Sequence, residues 1–161
     1  TYGRLREVSK GTTIRTFNSN VKAALLYGSE TWRTTKTTTK KIQTFINTCL
    51  RRILRIHWPQ KISNINLWKE TKQVPVDKEI GRKRWRWIGH TLRKSPESTT
   101  RQALTWNPQG KRKRGRPRNT WRRDLQADTA RTHLTWNEIV AQAQDRGGWR
   151  DLVDGLYPAT G

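Results

Sequence analysis

Methionine is absent, position 1 included, and cysteine occurs once, at Cys49, in a chain of 161 residues. A lone thiol cannot close an internal disulfide, which excludes a disulfide-stapled fold and suits a reducing compartment. The missing Met reads as a piece of a longer polypeptide. Acidic residues are scarce, with 12 Asp and Glu against 34 Lys and Arg, for a net charge of +22. Leu, Ile, Val and Phe are few as well, 30 residues or about 19% of the chain. So little aliphatic material with so much charge is the composition of a disordered chain. No run approaches the roughly 20 apolar residues of a membrane span. The longest is Ala23-Ala24-Leu25-Leu26-Tyr27. No charged-then-apolar start marks a signal peptide. No alternating strand pattern of useful length occurs.

What the chain does have is tryptophan, nine residues of it. Large aromatic side chains spread this widely can seed several small cores, so neither a uniformly disordered tail nor one large core is expected. The charge is also divided. Residues 1–123 hold 31 basic and 6 acidic side chains, net +25, and residues 124–161 hold 3 and 6, net −3. A boundary this sharp marks an electrostatic footprint for a polyanion. The acidic end reads as an ordinary packed helical unit, able to dock against the basic part.

Apolar spacings of three and four predict helices. Ile14, Phe17, Val21, Ala24 and Leu25 predict one over 13–27, ended by Gly28 as a C-cap. Ile42 to Leu54 is the cleanest stripe and predicts a helix over 37–56, broken by Trp58-Pro59. Further helices are expected from Ser63 through Trp68, at 76–94 behind Pro75, at 99–106, after a Thr120 cap, and at 136–145 behind the Thr135–Glu138 capping box. Gly147-Gly148 is expected to end that helix before a last one carrying Trp149, Leu152, Val153 and Leu156. The expected fold is all-α, small helical units joined by basic, partly disordered linkers. The divisions are 1–60, a Trp-rich basic region at 61–106, a Pro- and Gly-rich linker at 107–119, and 120–161.

Catalytic constellations are lacking. Cys49 sits on an apolar stripe and reads as a buried structural thiol. With one Cys there is no zinc-finger spacing for His57, His90 or His133. Asp124 and Asp128 are four apart on one helix, conceivable as a metal pair, but Arg122, Arg123 and Arg131 nearby favour salt bridging. No glycine-rich phosphate loop is present. The basic runs carry the remaining signal. Arg114-Gly115-Arg116-Pro117, inside the run Lys111, Arg112, Lys113, Arg114, Arg116 and Arg118, is the core of an AT-hook-like element. Glycine permits close backbone approach, and the arginines suit a narrow, electronegative minor groove. A flexible loop touching phosphates without sequence preference is an equally open reading, and a nuclear localisation signal is a third use compatible with either. The block Arg82, Lys83, Arg84, Trp85, Arg86 and Trp87 interleaves cations with aromatics. There Trp87 falls on the apolar face with Ile80 and Ile88, and Trp85 is the better candidate to stack on a base.

A series of motifs in order resembles the C-terminal end of the reverse transcriptase polyprotein of non-LTR retrotransposons, LINE elements of RTE-like type with an endonuclease ahead of the polymerase. It comprises Phe17-Asn18-Ser19-Asn20-Val21-Lys22, Leu26-Tyr27-Gly28-Ser29-Glu30-Thr31-Trp32, Phe45 to Leu54, Trp85-Arg86-Trp87-Ile88-Gly89-His90-Thr91-Leu92-Arg93, Gly110 to Pro117, Thr120-Trp121-Arg122-Arg123 and Ala143-Gln144-Asp145-Arg146. The match covers roughly residues 12–157. It implies a parent that nicks DNA and copies its own RNA at the nick, with residues 12–60 at or after the polymerase thumb and 76–157 beyond it. The parent polymerase's Mg²⁺-binding Tyr-Ala-Asp-Asp-like motif is absent here, as is the Cys/His knuckle of some relatives, so neither metal role carries over. The expected role is to hold template RNA or target DNA beside the upstream reverse transcriptase domains, with no catalytic site, membrane or small-molecule ligand. The expected contacts are Lys111, Arg112, Lys113, Arg114, Arg116, Arg118, Arg122 and Arg123, with Arg82 to Arg86 as a second group. The expected location is nucleus and cytoplasm. A helical packing module for the upstream polymerase, or a relic open reading frame, stand as alternatives.

Overall fold

A computed structural model describes residues 9–106, 115 and 120–158. The described residues are all-α, without a strand. α1 (Lys10–Thr16) runs through a π-helical segment (Phe17–Lys22) into α2 (Ala23–Leu25), and a 3-10 turn (Ser29–Thr31) follows. Then come α3 (Lys36–Ile53), α4 (Asn64–Thr71), α5 (Val76–Leu92), α6 (Thr99–Thr105), α7 (Trp121–Thr132), α8 (Trp136–Gln142) and α9 (Arg146–Leu156). None is long and apolar enough to cross a membrane. The expected linker at 107–119 lies outside the described residues, apart from Gly115.

Hydroxyl side chains start most of these helices by accepting an N–H that has no partner within the first turn. Thr35 accepts from Thr38 N at 3.1 Å, Ser63 from Asn66 N at 3.2 Å and Thr120 from Arg123 N at 3.3 Å. The capping box at Thr135 closes in both directions. α5 is capped from another helix, because Val76 N donates to Gln43 Oε1 of α3 at 2.7 Å. Ends are made by left-handed residues. Gly28 has φ +67°, and Arg55, Lys72 and His133 take φ +59°, +52° and +57°. Ile56 N then reaches Arg51 O at 2.9 Å and Gln73 N reaches Trp68 O at 2.8 Å, the closure that satisfies the last carbonyls. Arg55, rather than Trp58-Pro59, therefore terminates α3.

Two further expectations are corrected. The stripe over 13–27 fails at Val21, which is 44% exposed, while Phe17, Lys22 and Leu26 are buried. The π-helical segment adds a residue to one turn and rotates the following positions, so Lys22 turns inward and its ammonium donates to Gln73 Oε1 at 2.7 Å. Gly147 and Gly148 open α9 instead of closing the helix before it. Their N–H groups donate to the Asp145 carboxylate at 2.9 and 3.0 Å, and a side chain at Gly148 would crowd that carboxylate.

The chain divides into two units. One comprises residues 1–28 and 35–77, the other residues 29–34 and 78–161. These boundaries differ from the expected ones because α4 belongs with α3, where Trp68 Nε1 donates to the buried Asn47 Oδ1 at 2.8 Å. Leu50, Leu54 and Leu67 are among the buried residues of the first unit. The core of the second is built on Trp85, Ile88, Leu125, Ile139, Trp149 and Val153.

Candidate nucleic-acid interface

Five of the expected contact residues lie on α5, and two of them are corrected by burial. Arg84 is 3% exposed and Trp85 fully enclosed. An arginine taken out of water needs partners for its charge and its donors. Arg84 donates to Trp32 O at 3.0 Å and Thr34 Oγ1 at 3.3 Å, and lies 3.5 Å from Asp128 Oδ2 and 3.9 Å from Asp124 Oδ2. Asp124 Oδ2 also accepts from Thr34 N at 3.2 Å. Trp85 Nε1 points at Asp128 Oδ2 from 3.4 Å, and its ring lies 5.6 Å from that of Trp149. Neither residue can meet a nucleic acid. It is Trp87 that stands half-buried, edge-on to Trp121 at 6.1 Å.

The reason is the pair of glycines on α5. Gly81, Trp85, Ile88, Gly89 and Leu92 share a face, and hydrophobic spacing does not register glycine. A methyl group at Gly89 would overlap the Trp149 indole, and one at Gly81 the Tyr157 ring. α9 thus lies close against α5, and Trp149 Nε1 donates to Trp85 O at 3.0 Å.

Other expected contacts are engaged at helix ends, where carbonyls lack partners and the dipole favours cations. Arg82 donates to Tyr157 O at the end of α9, with Nε at 3.1 Å, and pairs with Asp154 at 3.2 Å. Arg122 gathers the carbonyls of Leu104, Thr105 and Trp106, the nearest at 2.7 Å, after α6. Arg93, Arg101 and Arg131 do the same for Ala143, Lys94 and Leu156 at 2.8, 2.6 and 3.2 Å. Lys83 is half-buried. Arg86 and Arg123 are exposed, and their side chains make no hydrogen bond or ion pair with another described residue. Lys111, Arg112, Lys113, Arg114, Arg116 and Arg118 lie outside the described residues. Arg146 and Arg150, overlooked because they sit in the acidic stretch, are exposed and likewise uncommitted. Their spacing of four on one helix is the signal that could have found them.

The titratable groups perform packing tasks. Asp124 and Asp128 serve as salt-bridge partners, with Arg84 facing both and Arg131 at 3.5 Å from Asp128. Burial, and then the negative charge of Asp128, push the Tyr157 hydroxyl well above the usual phenol range. Glu138 is held below the usual carboxylate range by the hydrogen bonds it accepts from the Thr135 backbone and side chain. Cys49 is half-buried, less enclosed than its stripe suggested. Among the described residues no group of three His, Cys, Asp or Glu side chains is placed to hold a metal ion. No protein-family model, curated protein or solved structure matches the chain.

Proposed function

We propose that this chain is a nucleic-acid-binding segment from the C-terminal end of a non-LTR retrotransposon reverse transcriptase, holding template RNA or target DNA during target-primed reverse transcription. One observation carries the reading. The 34 cations far outnumber the 12 carboxylates, and after arginines such as Arg82, Arg84 and Arg122 are assigned to structure, exposed ones such as Arg86 and Arg123 stay uncommitted. Phosphates are the polyanion that such a surplus suits. The basic run at 111–118 is the first-choice contact and doubles as a nuclear localisation signal in this reading. The ordered motif series supports the family.

A second reading has its own observation. Val21, Phe45 and Ile65 in the first unit are exposed, as a surface packing on upstream polymerase domains would be. Binding of the chain to labelled RNA hairpin, A·T-rich duplex and G·C-rich duplex across a salt series separates the two. A phosphate binder with about six to ten contacts loses roughly 10³–10⁵ in affinity between about 50 and 200 mM salt. A packing module has little affinity to lose even at the low end. Replacing Arg114 and Arg116 by Ala is expected to weaken A·T-rich duplex binding more than G·C-rich binding. Equal losses would leave plain phosphate contact in place of minor-groove recognition.

A further inference from the structure

The acidic C-terminal stretch also contributes cations, and they face a pocket. Arg86 from α5, Arg93 just after its end, and Arg146 and Arg150 from α9 line a cavity of about 240 Å³, with Trp149 and Val153 beside them. Asp154 is the carboxylate among the lining residues, and its charge is already met by Arg82 at 3.2 Å. Three of the four guanidiniums make no hydrogen bond or ion pair among the described residues, while Arg93 is held in place by Ala143 O at 2.8 Å. Gly89 of α5 lies between Arg86 and Arg93 in the sequence and admits the Trp149 indole, which brings the two arginine pairs around one opening. Four like charges repel one another, and Arg146 and Arg150 stand at the helix spacing where like charges are unfavourable. An anion in the pocket relieves that repulsion. Guanidinium forks match phosphate oxygens in bidentate geometry.

We infer that this pocket between α5 and α9 receives a backbone phosphate of the bound nucleic acid strand, giving the chain a second contact besides its basic run. The inference rests on the nucleic-acid reading above and deepens it. The Arg146→Ala/Arg150→Ala variant of the full chain tests it, measured against Lys40→Ala/Lys41→Ala, which removes two equally exposed cations from α3. The side chains of neither pair make a hydrogen bond or ion pair among the described residues, so both variants are expected to fold, and a thermal melt checks this.

The pocket variant is expected to lose about tenfold or more in affinity for a labelled RNA hairpin or duplex, and its log K against log salt slope is expected to flatten by about one phosphate contact. The α3 control is expected to lose much less. Arg146→Lys/Arg150→Lys is expected to recover part of the loss. Parallel losses in the two Ala variants overturn the pocket while leaving the nucleic-acid reading intact. A parent chain that binds no nucleic acid at about 50 mM salt overturns both. Polyglutamate of matched charge competing as well as an oligonucleotide overturns phosphate recognition and points to an acidic peptide.

Discussion

Arg84 shows how far a residue's task can depart from its sequence context. In the sequence it is one cation of a run that invites phosphate contacts, yet it is enclosed with two carboxylates, one main-chain carbonyl and one hydroxyl around it. Removing one side of such a pair leaves a buried charge uncompensated, at a cost of about 3–5 kcal/mol. Asp128→Ala is therefore expected to lower the unfolding free energy by about that amount in a urea titration. Asp124→Ala should cost less, since its oxygen lies at 3.9 Å from Arg84 rather than 3.5 Å. If the two were equal, or the order reversed, Asp128 would not be the principal counter-charge. Nothing local in Lys83-Arg84-Trp85-Arg86 distinguishes the buried members from the exposed ones. The distinction is made by Trp32, Thr34, Asp124 and Asp128, which are far along the chain.

Between elements, the decisive contact is α5 against α9. Gly81 and Gly89 are eight residues apart, about 12 Å along a helix, and so are Trp149 and Tyr157. The early glycine meets the later aromatic and the later glycine the earlier one, so the two helices run antiparallel. Overpacking a close contact costs about 1–3 kcal/mol. Gly89→Ala should lower the melting temperature by several degrees, whereas Gly155→Ala, which meets nothing within 4 Å, should leave it level or raise it slightly through helix propensity. Matching effects at both sites would show that Gly89 is not a packing glycine. Helix positions were largely legible, because Ser63, Thr120 and Thr135 declare their starts and α3 and α5 declare their spacing. The stops at Arg55, Lys72 and His133 were not, since left-handed backbone at a non-glycine residue leaves no compositional trace.

For the whole molecule, a net charge of +22 is a repulsion that the folded chain must carry. Screening weakens it. The melting temperature is accordingly expected to rise as NaCl goes from about 50 to about 500 mM. A flat or falling profile would mean that specific ion pairs such as those of Arg84 outweigh the general repulsion. The all-α class and the charge boundary near residue 123 were readable from composition and spacing alone. The two-unit division was not, because it depends on residues 29–34 joining helices that come much later in the sequence.

That joining sets an order of events during synthesis. Trp121 Nε1 closes on Glu30 O at 2.9 Å and Thr34 N on Asp124 Oδ2 at 3.2 Å, spanning 91 and 90 residues. The ribosome releases the short 29–34 strap long before its partners exist, and Arg84 emerges well ahead of Asp124 and Asp128. A nascent chain stopped before residue 124 has an arginine with no place to be buried, so the second unit forms only when translation has passed the helix that carries Asp124 and Asp128.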